Sequence, residues 1–168
     1  YLGLSHHPEL ISRAKEWAEL YGAGSGASRL VTGNLEIFTK LEEKVAKFKG
    51  KEAALIMVSG YQANASVLPA LFDRTTLGSE PLVFSDKLNH ASMHHGCAAS
   101  SVQQIRYRHN DMTHLKELLE KHKDSPAPKF ILTESVFSMD GDIAPLDEIY
   151  ALAREYNCFT IIDEAHAT

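Results

Sequence analysis

Thr160-Ile161-Ile162-Asp163-Glu164-Ala165-His166 ends a β-branched run on an acid and sets a histidine three residues later. Such a run reads as a buried strand that delivers Asp163 and His166 to the carboxyl edge of a sheet. In open α/β folds, ligands bind at that edge. A carboxylate placed there can hold a proton on a heteroaromatic ring nitrogen, the requirement of a cofactor that works as an electron sink. An acid ending a strand is also common without any such role, so the meaning of Asp163 depends on its neighbours.

Ser59-Gly60-Tyr61-Gln62-Ala63-Asn64 follows an expected strand and opens an expected helix. Free backbone N–H groups and the positive end of a helix dipole at such a junction suit a phosphate, and a plain tight turn is the alternative. The run from Gly22 to Gly26 follows a helix and not a strand, so it fails as a dinucleotide fingerprint. It reads as an active-site loop or an interhelix linker. Asn89-His90-Ala91-Ser92-Met93-His94-His95 carries three histidines. His90 and His94 have the i, i+4 spacing of zinc ligands, but no glutamate follows His90, so a metal is the minor reading and none is assigned. His90 follows a strand and a turn, which puts it on the edge with Asp163, where an imidazole can stack on a cofactor ring. His94 and His95 read as a surface or packing pair. Glu134-Ser135-Val136-Phe137-Ser138-Met139-Asp140-Gly141-Asp142 follows another strand, and Ser138 there could donate to a phenolate oxygen. The Asp140-Gly141-Asp142 stretch reads equally as a turn. A hydrolase triad of Ser138, His166 and Asp163 is set aside, because no G-x-S-x-G elbow is present.

The elements that must position these residues follow from periodicity. Apolar spacing predicts helices over residues 8–21, 35–48 (Asn34 as N-cap, Gly50 as stop), 61–72, 91–99, 111–122 and 146–156. Strands are expected over 53–58, 81–85, 102–107, 129–134 and 158–163. The alternation predicts an α/β fold with a mostly parallel sheet flanked by helices. Residues 1–50 form leading helices and a glycine-rich loop, and 51–168 an alternating strand–helix core.

The formal net charge of −5, with basic residues scattered, argues against nucleic acid. No apolar stretch is long enough for a bilayer and no signal peptide is visible. Cys97 and Cys158 read as two buried free thiols in a reducing compartment, hence a cytoplasmic protein. The chain starts at Tyr1 and stops at Thr168, just after a strand, as expected for a piece of a longer chain.

Assembled in order, these residues resemble the α-oxoamine synthases, a family of fold-type I pyridoxal phosphate enzymes. The likeness covers essentially the whole chain. It is carried by Tyr1-Leu2-Gly3-Leu4, Gly24-Ser25-Gly26-Ala27-Ser28-Arg29, Thr32-Gly33, the stretch from Ser59 to Asn64, Asn89-His90-Ala91-Ser92, His109-Asn110-Asp111, the stretch from Glu134 to Asp142, and Asp163-Glu164-Ala165-His166. The resemblance implies that Ser59, Gly60 and Tyr61 form the phosphate end, with the amides of Gly60 and Tyr61 in contact. It implies that His90 stacks on the cofactor ring, that Asp163 pairs with the ring nitrogen, and that Ser138 and His166 hydrogen-bond the phenolic oxygen. Glu134 supports the site, and His90, Glu134 and His166 form the catalytic set.

The implied reaction condenses an amino acid with an acyl thioester, on coenzyme A or a carrier protein, with loss of carbon dioxide. A homodimer is implied. The residue 24–29 and 59–64 motifs favour the biotin-pathway branch, which takes L-alanine and a pimeloyl thioester. Branches using glycine or serine, and a non-catalytic partner subunit of the same fold, are the alternatives. The Schiff-base lysine of this family is expected past Thr168. Ala167 stands where the family usually has glycine.

Overall fold

The computed structural model describes residues 2–167, in two compact units that divide between Ile56 and Met57. Tyr1 and Thr168 lie outside the described residues. Among the described residues, no helix is long and apolar enough to cross a membrane.

In the first unit, Pro8 opens helix α1 (Pro8–Tyr21), where its fixed φ and missing N–H suit the first turn. Helix α2 (Glu36–Lys49) stops at Gly50, which takes the left-handed conformation. Asn34 is not the cap of α2. Its side-chain oxygen accepts from Arg29 Nε at 2.9 Å, and Leu35 holds the cap position with no side-chain bond. Arg29 organises this unit. Its guanidinium pairs with both oxygens of Glu42, donates to the Ile56 carbonyl at 3.1 Å and lies over the Phe38 ring. Glu42 also accepts from the Ile56 N–H at 2.8 Å. The Arg29 and Ile56 hydrogen bonds hold the Glu42 carboxyl down to about 2. Residues 53–58, expected as a strand, are therefore corrected to an unpaired segment. Both backbone groups of Ile56 are satisfied by side chains, and no described strand pairs with the segment.

The second unit begins with α3 (Gly60–Leu71) and the short α4 (Arg74–Leu77), and then alternates. In order come β1 (Leu82–Asp86), α5 (Ala91–Ala99), β2 (Gln104–Tyr107), α6 (Met112–Lys121), β3 (Lys129–Glu134), α7 (Leu146–Glu155) and β4 (Cys158–Asp163). The sheet is fully parallel with strand order β2-β1-β3-β4. Alternate strand residues leave opposite faces. Phe84 and Ile131 pack with Leu115, Leu119, Ile149 and Leu152 of α6 and α7. Val83, Phe130 and Leu132 pack with Leu68, Met93 and Cys97 of α3 and α5. The sheet is thus covered on both faces, and each fully buried aliphatic side chain contributes roughly 1.5–3 kcal/mol. Helices α3 and α5 touch closely because Gly96 has no side chain. A Cβ there would stand 2.6 Å from the Asn64 carbonyl oxygen and 2.9 Å from the Leu68 side chain. Cys97 is buried, whereas Cys158 is only half-buried; burial pushes each thiol up to about 11.

The carboxyl ends of the central strands carry buried polar residues: Ser85 and Asp86 on β1, Thr133 and Glu134 on β3, then Ser135. Buried polar groups are mostly paired, and here Asp86 and Ser135 tie loops beyond different strands to one another. His109, just past β2, donates from Nδ1 to Asp86 at 3.0 Å and from Nε2 to Asp142 at 2.7 Å. Its ring meets Phe137 edge-on at 4.4 Å. Asn110 joins the same two acids, through its N–H to Asp86 and its amide to Asp142. The turn from Phe137 to Asp142, closed by Gly141 N–H on the Phe137 carbonyl at 2.9 Å, is pinned in this way to the ends of β1 and β2. That turn contains Ser138.

An imidazole flanked by two carboxylates can donate to both only when protonated. Burial opposes the charge, but the hydrogen bonds to Asp86 and Asp142 outweigh it and raise His109 above its ordinary 6.5. A raised histidine contributes stability that is fully present below the unfolded value and is lost as pH rises through the folded one. Asp142→Asn should lower the His109 titration, read by imidazole NMR. Its cost to unfolding stability should be larger below 6.5 than in alkali. A cost independent of pH would contradict the clamp.

Candidate active site

Asp163 is the last residue of β4, level with Glu134 at the end of β3. Its backbone carbonyl accepts from the N–H and the hydroxyl of Ser135, at 2.9 and 3.2 Å. The carboxylate is fixed at both oxygens. Oδ1 accepts the Ala165 N–H at 2.9 Å, and Oδ2 accepts the Asn64 side-chain amide at 2.7 Å. A carboxylate has about four acceptor positions, so capacity remains for a further donor. Asn64 lies one turn inside α3, on the same face as the core residue Leu68, and this places Asp163 beside the start of that helix.

At that start, Ser59 caps the helix by accepting the Gln62 N–H at 3.1 Å. Helix geometry leaves the Gly60 and Tyr61 N–H groups without intrahelical partners. Gly60 borders open space: a Cβ built there meets nothing within 4 Å. No strand precedes this junction, contrary to expectation, yet the anion-receptive helix end is formed.

His90 is the N-cap of α5, not a residue within the helix, and is exposed. Its Nδ1 lies 2.7 Å from the Ser92 hydroxyl and accepts the Ser92 N–H at 3.2 Å. Ser92 is buried, and its hydroxyl also accepts from Asn64 at 3.0 Å. Tyr61 meets the His90 ring edge-on at 6.3 Å. One chain of contacts therefore runs from Asp163 through Asn64 and Ser92 to His90. His94 is half-buried on Gln104, and His95 faces Tyr61. The metal-like spacing among the described residues is at His109, Asp140 and Asp142 instead. There His109 has both nitrogens on carboxylates, which reads as the ion-pair clamp.

Glu134 is buried, and its carboxyl accepts the backbone N–H groups of His90 and Ser138. Burial raises this carboxyl, those two hydrogen bonds pull it down, and the nearby Asp163 charge raises it further; the net shift is upward. Glu134 thus fixes the loops after β1 and β3 at once. Ser138 itself is exposed. His166 is half-buried in the turn after β4, which Ala167 closes through its N–H on the Glu164 carbonyl at 3.0 Å. The described non-glycine residues with left-handed backbone are Ser101, Asn110 and Asn157, so nothing at Ala167 demands glycine.

Asn64 and Ser92 had no role assigned from sequence. The available signal was weak: an asparagine, a poor helix former, on the buried face of an expected helix.

The chain matches the model of the aminotransferase class I and II family over residues 1–168. It is 55% identical to the 8-amino-7-oxononanoate synthase of Gluconacetobacter diazotrophicus over 170 aligned residues, covering all of this chain and 43% of that protein. The fold matches a serine palmitoyltransferase from S. paucimobilis with a bound PLP–myriocin aldimine, with TM-score 0.92 and 31% identity over all of this chain and 41% of the other. It also matches the 8-amino-7-oxononanoate synthase of Francisella tularensis, with TM-score 0.77 and 28% identity over 99% of this chain and 43% of the other. The chain spans less than half the length of these relatives. With its parallel sheet flanked by helices, it has the fold of its PLP fold-type I neighbours, and it belongs to the aminotransferase class I and II family.

Proposed function

We propose that this chain forms the cofactor-facing part of a pyridoxal phosphate enzyme. In this reading, the complete protein condenses L-alanine with a pimeloyl thioester, as an 8-amino-7-oxononanoate synthase does. One observation carries the cofactor reading. A carboxylate fixed at a strand end stands beside a helix start with free amides and open space in front of it. These are the two groups needed at opposite ends of a phosphorylated pyridine: a partner for the ring N–H and an anion cradle. The residues fit the group.

Bound there, pyridoxal phosphate supplies the electron sink for charge that develops at the α-carbon of the amino acid. The rest falls to the protein. The amides of Gly60 and Tyr61 hold the phosphate without needing a cation. Asp163 keeps the ring nitrogen protonated, and Asn64 and the Ala165 N–H stop the carboxylate from swinging away. His90 covers one face of the ring. Ser138 and His166 reach the phenolic oxygen from the turns after β3 and β4. Glu134 holds the His90 and Ser138 backbones in register. The complete protein works in the cytoplasm as a homodimer, with the acyl group on coenzyme A or a carrier protein.

The amino acid is the less constrained half of the proposal. Fold likeness to a serine palmitoyltransferase favours a serine-using branch, with TM-score 0.92. Sequence favours the alanine branch, at 55% identity against 31%. The greater identity carries more weight, because branches of one family share the fold and differ in side chains.

Asp163→Asn in the full-length protein should leave the fold intact and reduce turnover roughly a hundredfold, the effect of losing ~3 kcal/mol of charge stabilisation. Near-normal turnover would remove the cofactor assignment. The substrate is tested by presenting alanine, glycine and serine singly, following exchange of the α-proton, and then adding acyl thioesters of different length. Alanine should exchange fastest and the pimeloyl chain should be preferred. One methyl group is worth only ~1–3 kcal/mol in an apolar pocket, so preference over glycine should be about tens- to hundredfold. Faster exchange with serine would move the protein to the other branch.

A further inference from the structure

The side-chain amide of Asn64 has two hydrogens, and both are used at the site. One goes to Asp163 Oδ2 at 2.7 Å and the other to Ser92 Oγ at 3.0 Å. A carboxylate only accepts, so the nitrogen of the amide has to face Asp163 and its orientation is fixed by chemistry. Ser92 Oγ is then already an acceptor. Its single hydrogen is left for His90 Nδ1, 2.7 Å away. The Ser92 backbone N–H points at the same nitrogen from 3.2 Å. Two donors converge on one ring nitrogen, which must offer them its lone pair. A proton on Nδ1 would set it against the Ser92 backbone N–H and take from the buried Ser92 hydroxyl the acceptor for its hydrogen.

We propose that Asn64 and Ser92 are positioning residues that hold His90 as the imidazole tautomer with its hydrogen on Nε2 and its lone pair on Nδ1. The proposal rests on the reading above, in which His90 covers the cofactor ring and Asp163 meets the ring nitrogen. Its consequence is that one asparagine sets both partners of the ring. It fixes the carboxylate that stabilises the ring proton, and through Ser92 it turns the Nδ1 lone pair of the covering imidazole inward and its Nε2 hydrogen outward.

The test uses the full-length protein with ¹⁵N-labelled histidine, without cofactor and at mildly alkaline pH. The His90 signals are assigned by their loss in His90→Gln. The expected spectrum has Nε2 protonated and Nδ1 bare, by about tenfold or more. Ser92→Ala, which keeps the backbone N–H but loses the hydroxyl, should weaken the bias several-fold, and Ser92→Thr, which keeps the hydroxyl, should restore it. With pyridoxal phosphate added, Ser92→Ala should shift the visible absorption of the bound cofactor and Ser92→Thr should return it. A wild-type His90 protonated on Nδ1, or a bias undiminished in Ser92→Ala, would overturn the proposal. The wild-type spectrum decides the matter even if Ser92→Ala does not fold. Because the tautomer is read without cofactor, a wild-type protein that takes up no pyridoxal phosphate would overturn the proposed function and leave this result standing.

Discussion

A carboxylate at the end of a parallel strand does little for a ring nitrogen unless its oxygens are held. The 2.7 Å hydrogen bond from Asn64 to Asp163 supplies that hold, and much of the second unit serves to make it possible. Asn64 must ride on a helix pressed against the sheet, and that helix must pack closely on its neighbour. Gly96 permits the approach, because any side chain there would strike the Asn64 backbone. Leu68, one turn further along α3, anchors the same face in the core. The polar contact is thus located by apolar packing.

The same logic runs along the whole carboxyl edge. The sheet is apolar through its middle and polar where its strands end. Several of the buried polar groups there find a partner on another strand's loop. Glu134 links the loops after β1 and β3. His109 links the ends of β1 and β2 to the turn that carries Ser138. Ser135 holds the backbone of Asp163. The loops that would face a cofactor are therefore cross-braced, which limits the freedom that catalytic groups on loops otherwise have.

Much of this was legible in the sequence, for a physical reason. Strands β3 and β4 and helix α5 carry dense local signals, and their bounds were read correctly from residues 129–134, 158–163 and 91–99. Asp163, His90 and Glu134 were placed at one edge because strand ends can be read from composition. What failed depended on partners distant in sequence. Residues 53–58 have strand-like composition, yet Arg29 and Glu42 take the Ile56 backbone groups. Asn34 has the chemistry of a cap, yet Arg29 takes its oxygen. Asn64 and Asp163 lie 99 residues apart, and no local pattern announces their contact. The short helix α4 has too few residues to display a period.

The protonation state of the cofactor ring is the point on which everything above converges. It can be read directly by ¹⁵N NMR of ring-labelled pyridoxal phosphate bound to the full-length protein at neutral pH. With Asp163 held against the ring, the nitrogen should give a pyridinium signal. An unprotonated pyridine nitrogen in the bound cofactor would contradict the role given to Asp163, and with it the purpose assigned to the Asn64 contact.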